Sequence, residues 1–310
     1  MTFLNKCGLI VSILLVSIQA MSAGPVVPIL SGVSVSGSVT QPDIYSPNLV
    51  YQYSKLKMYF GGWDTGGMTH DAIYRADCPE PSWNGSAWVS GACSNAVKVL
   101  DAASLGFDAL NDPSVVAMPG GYYLMYMTCV SGGQNGNTVT SNHLCWSMSW
   151  YADGVNWSAP QPLSTKVWLP SATIAANGHV YLYANSNSSD PTVPYLSMFD
   201  LGTSGIAMGA PKNVNVVGTN KPYLNVDVIY RAGCNCFQIF GQNTTATAID
   251  YLVSWDGVNW YTGAQSIVTP RPGFNSVNTP APHPNNNAFI YFGQTSQAPM
   301  SYSMFFREWY

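Results

Sequence analysis

The sequence predicts an all-β fold, a five-bladed β-propeller built from four-stranded antiparallel blades. Three observations lead to this prediction. One sequence pattern recurs five times. Alternating, β-branched and aromatic residues are frequent throughout, while no segment keeps a helical period. The copies follow one another at intervals of about 50 to 65 residues, which suits one unit of four short strands, and radial repetition of such units protects their edges.

The repeated pattern is a short polar or proline-containing stretch, a β-branched pair, a turn and then an aromatic-rich strand. Its copies begin at residues 46–50, 111–116, 169–174, 225–230 and 278–282. The last copy ends at Tyr310 with room for only three strands. We therefore expect the alternating Val-Ser-Val-Ser-Gly-Ser-Val segment at 33–39 to supply the missing strand, so that the mature N-terminus closes the ring.

Residues 1–23 have the pattern of a secretory signal peptide, because a basic start at Lys6 precedes an apolar run and then small residues. The apolar run is shorter than the roughly 20 residues that span a bilayer. We expect residues 24–310 to form one secreted or periplasmic propeller domain, monomeric and without a membrane anchor.

Six cysteines remain after residue 23, an even number that favours disulfides in an oxidising compartment. Fifteen pairings are possible in principle, and proximity in the sequence favours Cys78–Cys93 and Cys129–Cys145. A bridge between Cys234 and Cys236 would be unusual, because so short a loop strains it.

The composition argues for a sugar partner and against nucleic acid. Only 8% of the residues are charged, the net charge is −4 and no basic run exists. Aromatic rings and neutral amides suit an oligo- or polysaccharide, although many extracellular β proteins have a similar composition. No spacing of His, Asp or Cys residues indicates a zinc site, so we expect no cofactor. A structural Ca²⁺ ion in the central channel is an alternative that the sequence leaves open.

Propeller geometry predicts that the starts of the inner strands and the loops between second and third strands surround one central pocket. The Asp-Gly turns in the hairpins 149–157 and 254–260 are expected to be structural, with the tryptophan that follows each turn packed between blades.

Several motifs carry a resemblance to a known group: Asn111-Asp112-Pro113 with the strand 122–126, residues 58–63 with 70–74, and the two Asp-Gly hairpins. On these, the chain resembles the five-bladed propeller glycoside hydrolases, which include β-xylosidases, arabinanases and invertase-like enzymes. The resemblance implies an Asp from the first blade as base or nucleophile, a second Asp that orients the sugar, and a Glu as general acid.

This sequence matches that catalytic pattern in part. Asp112 corresponds to the second Asp. Ser46 stands where the first Asp is expected, so Asp43 and Asp64 are the nearby candidates for it. The chain has only two glutamates, Glu80 and Glu308, and neither is expected at the place of the acid.

Other residues could replace the missing acid. His70 beside Asp71 is one candidate, similar to the neoagarobiose-cleaving propeller enzymes, and Asp227 between two valines is another, since burial would raise its pKa. Each of these residues could instead have a structural role, since an Asp at a strand start can cap a turn and a loop His can form hydrogen bonds at the surface. The expected substrate-binding residues are Trp63, Trp168, Trp146 and Asn111.

We therefore expect a secreted glycoside hydrolase with Asp-based acid/base chemistry in the central pocket. The alternative is a sugar-binding, lectin-like propeller that has lost the acid. A structural matrix protein without a ligand is a third hypothesis, less favoured because it gives no reason for carboxylates around the pocket.

Overall fold

The computed structural model describes residues 27–308, with gaps at 32, 36–38, 42–43, 64–70, 84–87, 90, 95, 132–140, 151–153, 187–194, 219–222, 271, 273, 286–287 and 296–301. The predicted signal peptide lies outside the described residues, as do Asp43, Asp64 and His70. No helix within this described part is long and apolar enough to cross a membrane.

The described residues form 25 strands and one short helix. Three short strands come first: β1 (Val27–Ser31), β2 (Val33–Val35) and β3 (Val39–Gln41). The first large sheet follows with β4 (Ile44–Gln52), β5 (Lys55–Trp63), β6 (Asp71–Cys78) and β9 (Val97–Leu100), and the hairpin β7 (Ser82–Trp83) and β8 (Trp88–Val89) interrupts it. Helix α1 (Ala102–Leu105) leads to the second sheet.

The remaining sheets repeat this order. The second contains β10 (Ala109–Ala117), β11 (Tyr123–Ser131), β12 (Ser141–Ser149) and β13 (Gln161–Ser164). The third contains β14 (Val167–Ile174), β15 (Val180–Ser186), β16 (Leu196–Asp200) and β17 (Lys212–Asn213). The fourth contains β18 (Asn215–Val217), β19 (Tyr223–Arg231), β20 (Cys236–Asn243), β21 (Ile249–Ser254) and β22 (Asn259–Val268). The fifth contains β23 (Phe274–Pro282), β24 (Ala288–Thr295) and β25 (Tyr302–Glu308), with β1 at its edge.

The predicted all-β propeller is confirmed, but the count of four-stranded blades is wrong. Four sheets have the predicted four strands, and the fourth sheet in chain order has five. Its extra strand, β18, runs parallel to β22, with Val216 opposite Trp260. This strand was not predicted because its three residues, Asn215-Val216-Val217, are too few to show an alternating pattern.

The segment predicted to close the ring is also corrected. Within the predicted segment 33–39, residues 33–35 pair with β3 in a separate two-stranded sheet, in which Val35 is opposite Val39, and residues 36–38 lie outside the described part. The strand beside β25 is β1, with Val27 opposite Phe306.

Each inner strand carries a bulge at the same place in the repeat. The residue at the bulge has a positive φ, between 34° and 52°, in all five copies: Ser46, Asp112, Leu169, Asn225 and Thr279. The register with the neighbouring strand shifts at each of these positions. A bulge re-aims side chains at the rim of a sheet, and here it brings the five strand starts to one centre.

A second repeated feature joins the inner strands to one another. Two residues after the bulge, a polar side chain accepts a hydrogen bond from a backbone N–H of the next sheet. Asn48 accepts from Val115 at 2.9 Å, Ser114 from Ala172 at 2.9 Å, and Ser171 from Val228 at 2.8 Å.

This series of bonds stops at the fifth sheet. The residue equivalent to the donors Val115, Ala172 and Val228 is Pro282, which has no N–H. In the repeated pattern, an N–H at residue 282 would donate to the side chain of Asp227. The next acceptor position holds Ala281, which has no polar side chain. Residue 282 therefore donates no backbone hydrogen bond to the carboxyl of Asp227.

Gly154 and Gly257 of the two Asp-Gly hairpins have structural roles, as predicted, while Asp153 lies outside the described residues. Tyr59 of the first sheet donates its hydroxyl to the Gly154 carbonyl of the second, and Trp157 donates its indole N–H to the same oxygen. The second hairpin repeats this with Tyr183 and Gly257. Apolar clusters fill the space between successive sheets. The predicted disulfides Cys78–Cys93 and Cys129–Cys145 form, and Cys234 also pairs with Cys236.

Candidate functional site

The five bulges surround a cavity of about 30 Å³ where the inner strands meet. The residues that line it come from all five inner strands: Ser46, Pro47, Asn48, Asp112, Pro113, Ser114, Leu169, Pro170, Asn225, Val226, Asp227, Thr279 and Pro280. Asp112 and Asp227 are the two carboxyl groups among them. The cavity accommodates one small group, since a single water needs about 10–15 Å³ on this measure.

Asp112 reaches the cavity from the bulge of β10 and keeps part of its surface exposed. Its Oδ1 accepts a hydrogen bond from the hydroxyl of Ser46, 2.5 Å away in the first sheet. Loss of water around the carboxyl raises the pKa of Asp112, and hydrogen bonds from Ser46 and Thr128 oppose that rise without cancelling it.

Asp227 lies deeper, on β19 two residues after the bulge, and is 7% exposed. Its Oδ1 accepts from the hydroxyl of Ser171 at 2.5 Å, and its Oδ2 accepts from Asn48 Nδ2 at a long 3.5 Å. Burial raises the pKa of Asp227 to about 7 despite these donors. Asp227 is therefore an acid that holds its proton over much of the range below neutral pH.

Hydrogen bonds between sheets fix the rest of the wall. The backbone N–H of Ser46 donates to Thr279 Oγ1 at 3.2 Å, and the N–H of Leu169 donates to Thr128 Oγ1 at 3.1 Å. Gln242 Oε1 accepts from both the N–H of Thr279 and the side-chain amide of Asn225. These side chains are held before any ligand arrives, which favours binding because little ordering remains to be done.

A second, wider cavity of about 240 Å³ lies farther along the inner strands. Aliphatic residues and prolines form most of its wall, and Asn48 and Asp227 line it as well as the first cavity. Glu80 belongs to this side of the molecule. It lies 3.4 Å from His283 Nε2, beside Tyr51 of the cavity wall. Glu80 is thus not among the groups of the first cavity.

The structure brings two of the predicted catalytic residues, Asp112 and Asp227, into one cavity. Asp71 is buried at the start of β6, opposite Trp63 in the register, and does not line the cavity. Trp63 itself is described only in its backbone, and Asp43, Asp64 and His70 lie outside the described residues.

The other predicted sugar-binding residues do not line this cavity. Trp168 donates its indole N–H to the Ser186 carbonyl on the neighbouring strand. Trp146 packs against the apolar cluster between the second and third sheets. Asn111 precedes the bulge and is opposite Thr128 in the register. Asn111 and Trp168 lie just before the bulge residues that reach the cavity, and Trp146 lies on β12, which β11 separates from the inner strand.

Sequence reasoning missed four polar residues that complete the site: Asn48, Ser171, Asn225 and Thr279. An alignment of the five repeats would have found them, since each occupies the bulge or the position two residues later. Within the described ranges, no group of three or more His, Cys, Asp or Glu side chains could hold a metal ion.

No protein-family profile matches the sequence, and no curated protein matches it. Solved structures do. A GH43_1 enzyme from Xanthomonas citri is similar with a TM-score of 0.63 at 14% identity, over 91% of this chain and 89% of that one. A GH43 β-xylosidase/α-arabinofuranosidase from a compost microbial metagenome gives 0.65 at 9%, over 91% and 93%. An N-acetylgalactosamine deacetylase from F. plautii gives 0.62 at 12%, over 92% and 95%. The chain shares its all-β propeller fold with these carbohydrate-active enzymes.

Proposed function

We propose that this chain is a carbohydrate-active protein that hydrolyses glycosidic bonds at the cavity formed by the five bulges. One observation carries the proposal: Asp112 and Asp227 line the same cavity, and burial raises the pKa of both. Glycosidic cleavage generally uses two carboxyl groups in different environments, one as acid and one as base or nucleophile.

The two carboxyl groups suit different roles. Asp227, with a pKa of about 7, is the proton donor to the leaving oxygen. Asp112 is more exposed and, once ionised, serves as the second carboxylate. The substrate class is an oligo- or polysaccharide, in keeping with the low charge of the chain. The Xanthomonas citri GH43_1 enzyme has been solved with xylose and with xylotriose, so xylo-oligosaccharides are the first substrates to test.

The test is release of reducing sugar from xylotriose, arabino-oligosaccharides and neoagaro-oligosaccharides. We expect Asp227→Asn and Asp112→Asn each to lower the rate by about 10²–10⁴-fold, because each removes a proton-transfer or charged group. Asp200→Asn is the matched control, since Asp200 pairs with His179 on the third sheet and does not line the cavity. Full turnover by the Asp112→Asn variant would contradict the assignment.

A second candidate function is sugar binding without cleavage. Two observations favour it: Ser46 stands where the resemblance places an Asp, and the 30 Å³ cavity admits one substituent of a sugar rather than a ring. This candidate predicts saturable binding in calorimetry with no reducing sugar released from the same panel. Turnover that Asp227→Asn abolishes would exclude it.

We also propose that the chain is exported, that the five-stranded sheet serves as a fifth blade, and that β1 closes the ring. The disulfides support export, because they persist in oxidising compartments. N-terminal sequencing of the protein recovered outside the cytoplasm should begin after residue 23. A mature chain that retains residues 1–23 would contradict it.

A further inference from the structure

Ser46 combines three properties that no other described serine of the first cavity has together. It lines the cavity, its hydroxyl lies 2.5 Å from a carboxyl oxygen of Asp112, and it stands at the bulge with φ 48°. Ser114, the other serine of the wall, uses its hydroxyl to accept from the backbone of Ala172. Ser171, the serine bound to Asp227, does not line the cavity.

From this geometry we propose that Ser46 is a nucleophile with Asp112 as its general base, and that the cavity hydrolyses short acyl esters. A hydroxyl becomes a useful nucleophile when an adjacent base within hydrogen-bond reach can take its proton. The Asp112 carboxyl lies at that distance and is partly withdrawn from water. Burial strengthens it as a base relative to a free aspartate.

The size of the cavity selects the substrate class. About 30 Å³ leaves room for a group the size of an acetyl, while an extended acyl chain or a sugar ring would not enter. The ester alcohol would remain at the mouth, where a sugar hydroxyl is the partner that suits the weakly charged surface. The proposed substrates are therefore acetyl esters, on simple alcohols or on sugars.

The reaction balances with water alone. The proton of Ser46 Oγ passes to the ionised Asp112 as Oγ bonds to the ester carbonyl carbon, and the carbonyl electron pair moves to its oxygen. Collapse of this intermediate breaks the bond to the alcohol, which takes the proton from Asp112. Water then attacks the acyl-Ser46 with Asp112 again as base, and releases the acid and free Ser46.

Thr279 is the side chain placed to assist. Its Oγ1 accepts the backbone N–H of Ser46 at 3.2 Å, which brings a second hydroxyl beside the nucleophile. In the described residues the Thr279 hydroxyl has no acceptor of its own, so its proton is available to the developing oxyanion. Removal of one oxyanion donor typically costs a factor of 10²–10³ in rate.

A fluorophosphonate probe, which phosphonylates activated serines, tests the proposal with the purified full chain and no knowledge of the natural substrate. We expect one adduct per chain on the peptide that contains Ser46, no adduct in Ser46→Ala, and about 10²-fold or greater slowing in Asp112→Asn. The chain should also hydrolyse p-nitrophenyl acetate and reject p-nitrophenyl octanoate.

Ser254→Ala is the matched control, because Ser254 also donates to an aspartate, Asp256 at 3.0 Å, but lies outside the cavity. Its labelling should equal that of the unmodified chain. Circular dichroism and thermal melting check that Ser46→Ala folds, and Ser46→Cys should alkylate with iodoacetamide in its place. An unlabelled folded chain, or an adduct on any other residue, would overturn the proposal.

The proposal does not depend on glycosidic cleavage, and the two can be separated. Asp227 bonds to Ser171 and Asn48, not to Ser46. Asp227→Asn should therefore lose glycoside hydrolysis and keep probe labelling. Failure of labelling would leave the glycosidic proposal standing, and failure of sugar release would leave the esterase proposal standing.

Discussion

Two serine–aspartate pairs join the inner strands, and they differ in what the serine does besides bind its aspartate. Ser46 donates to Asp112 and Ser171 donates to Asp227, each at 2.5 Å and each from one sheet to the next. Ser171 Oγ also accepts the backbone N–H of Val228 at 2.8 Å and is 1% exposed. Ser46 Oγ has no second donor in the described part and faces the cavity.

The difference follows from the position of each serine in the repeat. Ser46 is at the bulge, where the positive φ turns the side chain toward the centre. Ser171 lies two residues after its bulge, at the position that links neighbouring sheets. The same pair of residue types therefore leaves a hydroxyl available for chemistry at one position and fastens two strands together at the other.

The pH dependence of stability gives the largest expected difference between the two aspartates. The pKa of Asp227 is raised from its ordinary 3.8 to about 7, so the folded state binds more protons than the unfolded state between those values. Stability is then greatest below about pH 4 with respect to this group, and is lost as the pH rises through about 7. The upper bound of this loss is about 4 kcal/mol.

Asp227→Asn should remove most of that loss, so the variant becomes more stable than the unmodified chain at pH 8 and loses the advantage near pH 4. Urea unfolding at a series of pH values measures it. Asp112→Asn should reduce the pH dependence of the free energy of unfolding less than Asp227→Asn does, because Asp112 keeps contact with solvent. Equal effects of the two variants would break the distinction between the pairs.

Replacing each serine by alanine tests whether Ser171 contributes more to the free energy of unfolding than Ser46 does. Ser171→Ala removes the acceptor of the buried Val228 N–H and the hydroxyl donor to Asp227 Oδ1, so we expect a loss of about 3 kcal/mol in the free energy of unfolding. Ser46→Ala removes one bond at a partly exposed carboxyl and should cost about 1 kcal/mol. Denaturant titration at pH 6 compares them. A larger loss for Ser46→Ala would reverse the assignment.

The sequence alone could predict where the site lies. The copies that begin at Ser46, Asn111, Leu169, Asn225 and Asn278 each contain a bulge. In four of the five copies a proline directly follows the bulge residue, and proline inside a strand is typical of a bulge. That periodicity was enough to place Asp112 and Asp227 at one centre. Proximity in the sequence also sufficed to predict the disulfides Cys78–Cys93 and Cys129–Cys145.

The pairing of groups within the site could not be predicted in the same way. Ser46 bonds to Asp112 across 66 residues, and its N–H bonds to Thr279 across 233. Such contacts depend on how the sheets are spaced around the centre, which no local propensity encodes. For the tryptophans, aromatic character predicted a sugar contact. Trp168 instead bonds to the Ser186 carbonyl and Trp146 packs against an apolar cluster, and neither lines the first cavity.

The smallest expected effect concerns the interrupted series of bonds between sheets. Between three pairs of neighbouring sheets, a backbone N–H donates to the polar side chain two residues after the bulge. Between the fourth and fifth sheets the equivalent residue is Pro282, which has no N–H to donate to Asp227. Pro282→Ala restores an N–H at that place. A new donor to the ionised carboxyl should lower the pKa of Asp227 by about one unit or less, while the lost proline costs about 0.5 kcal/mol through the unfolded chain.

A carbon-13 NMR titration of the Asp227 carboxyl measures that shift, with Pro280→Ala as the control because Pro280 precedes Ala281 and occupies a different place in the repeat. If the pKa of Asp227 falls only in Pro282→Ala, the proline helps to keep Asp227 protonated near neutral pH. The pH optimum of a reaction in which Asp227 donates a proton should then also move to lower pH. An unchanged pKa would mean that burial alone sets the acid, and that the break at Pro282 serves only the packing of the fifth sheet.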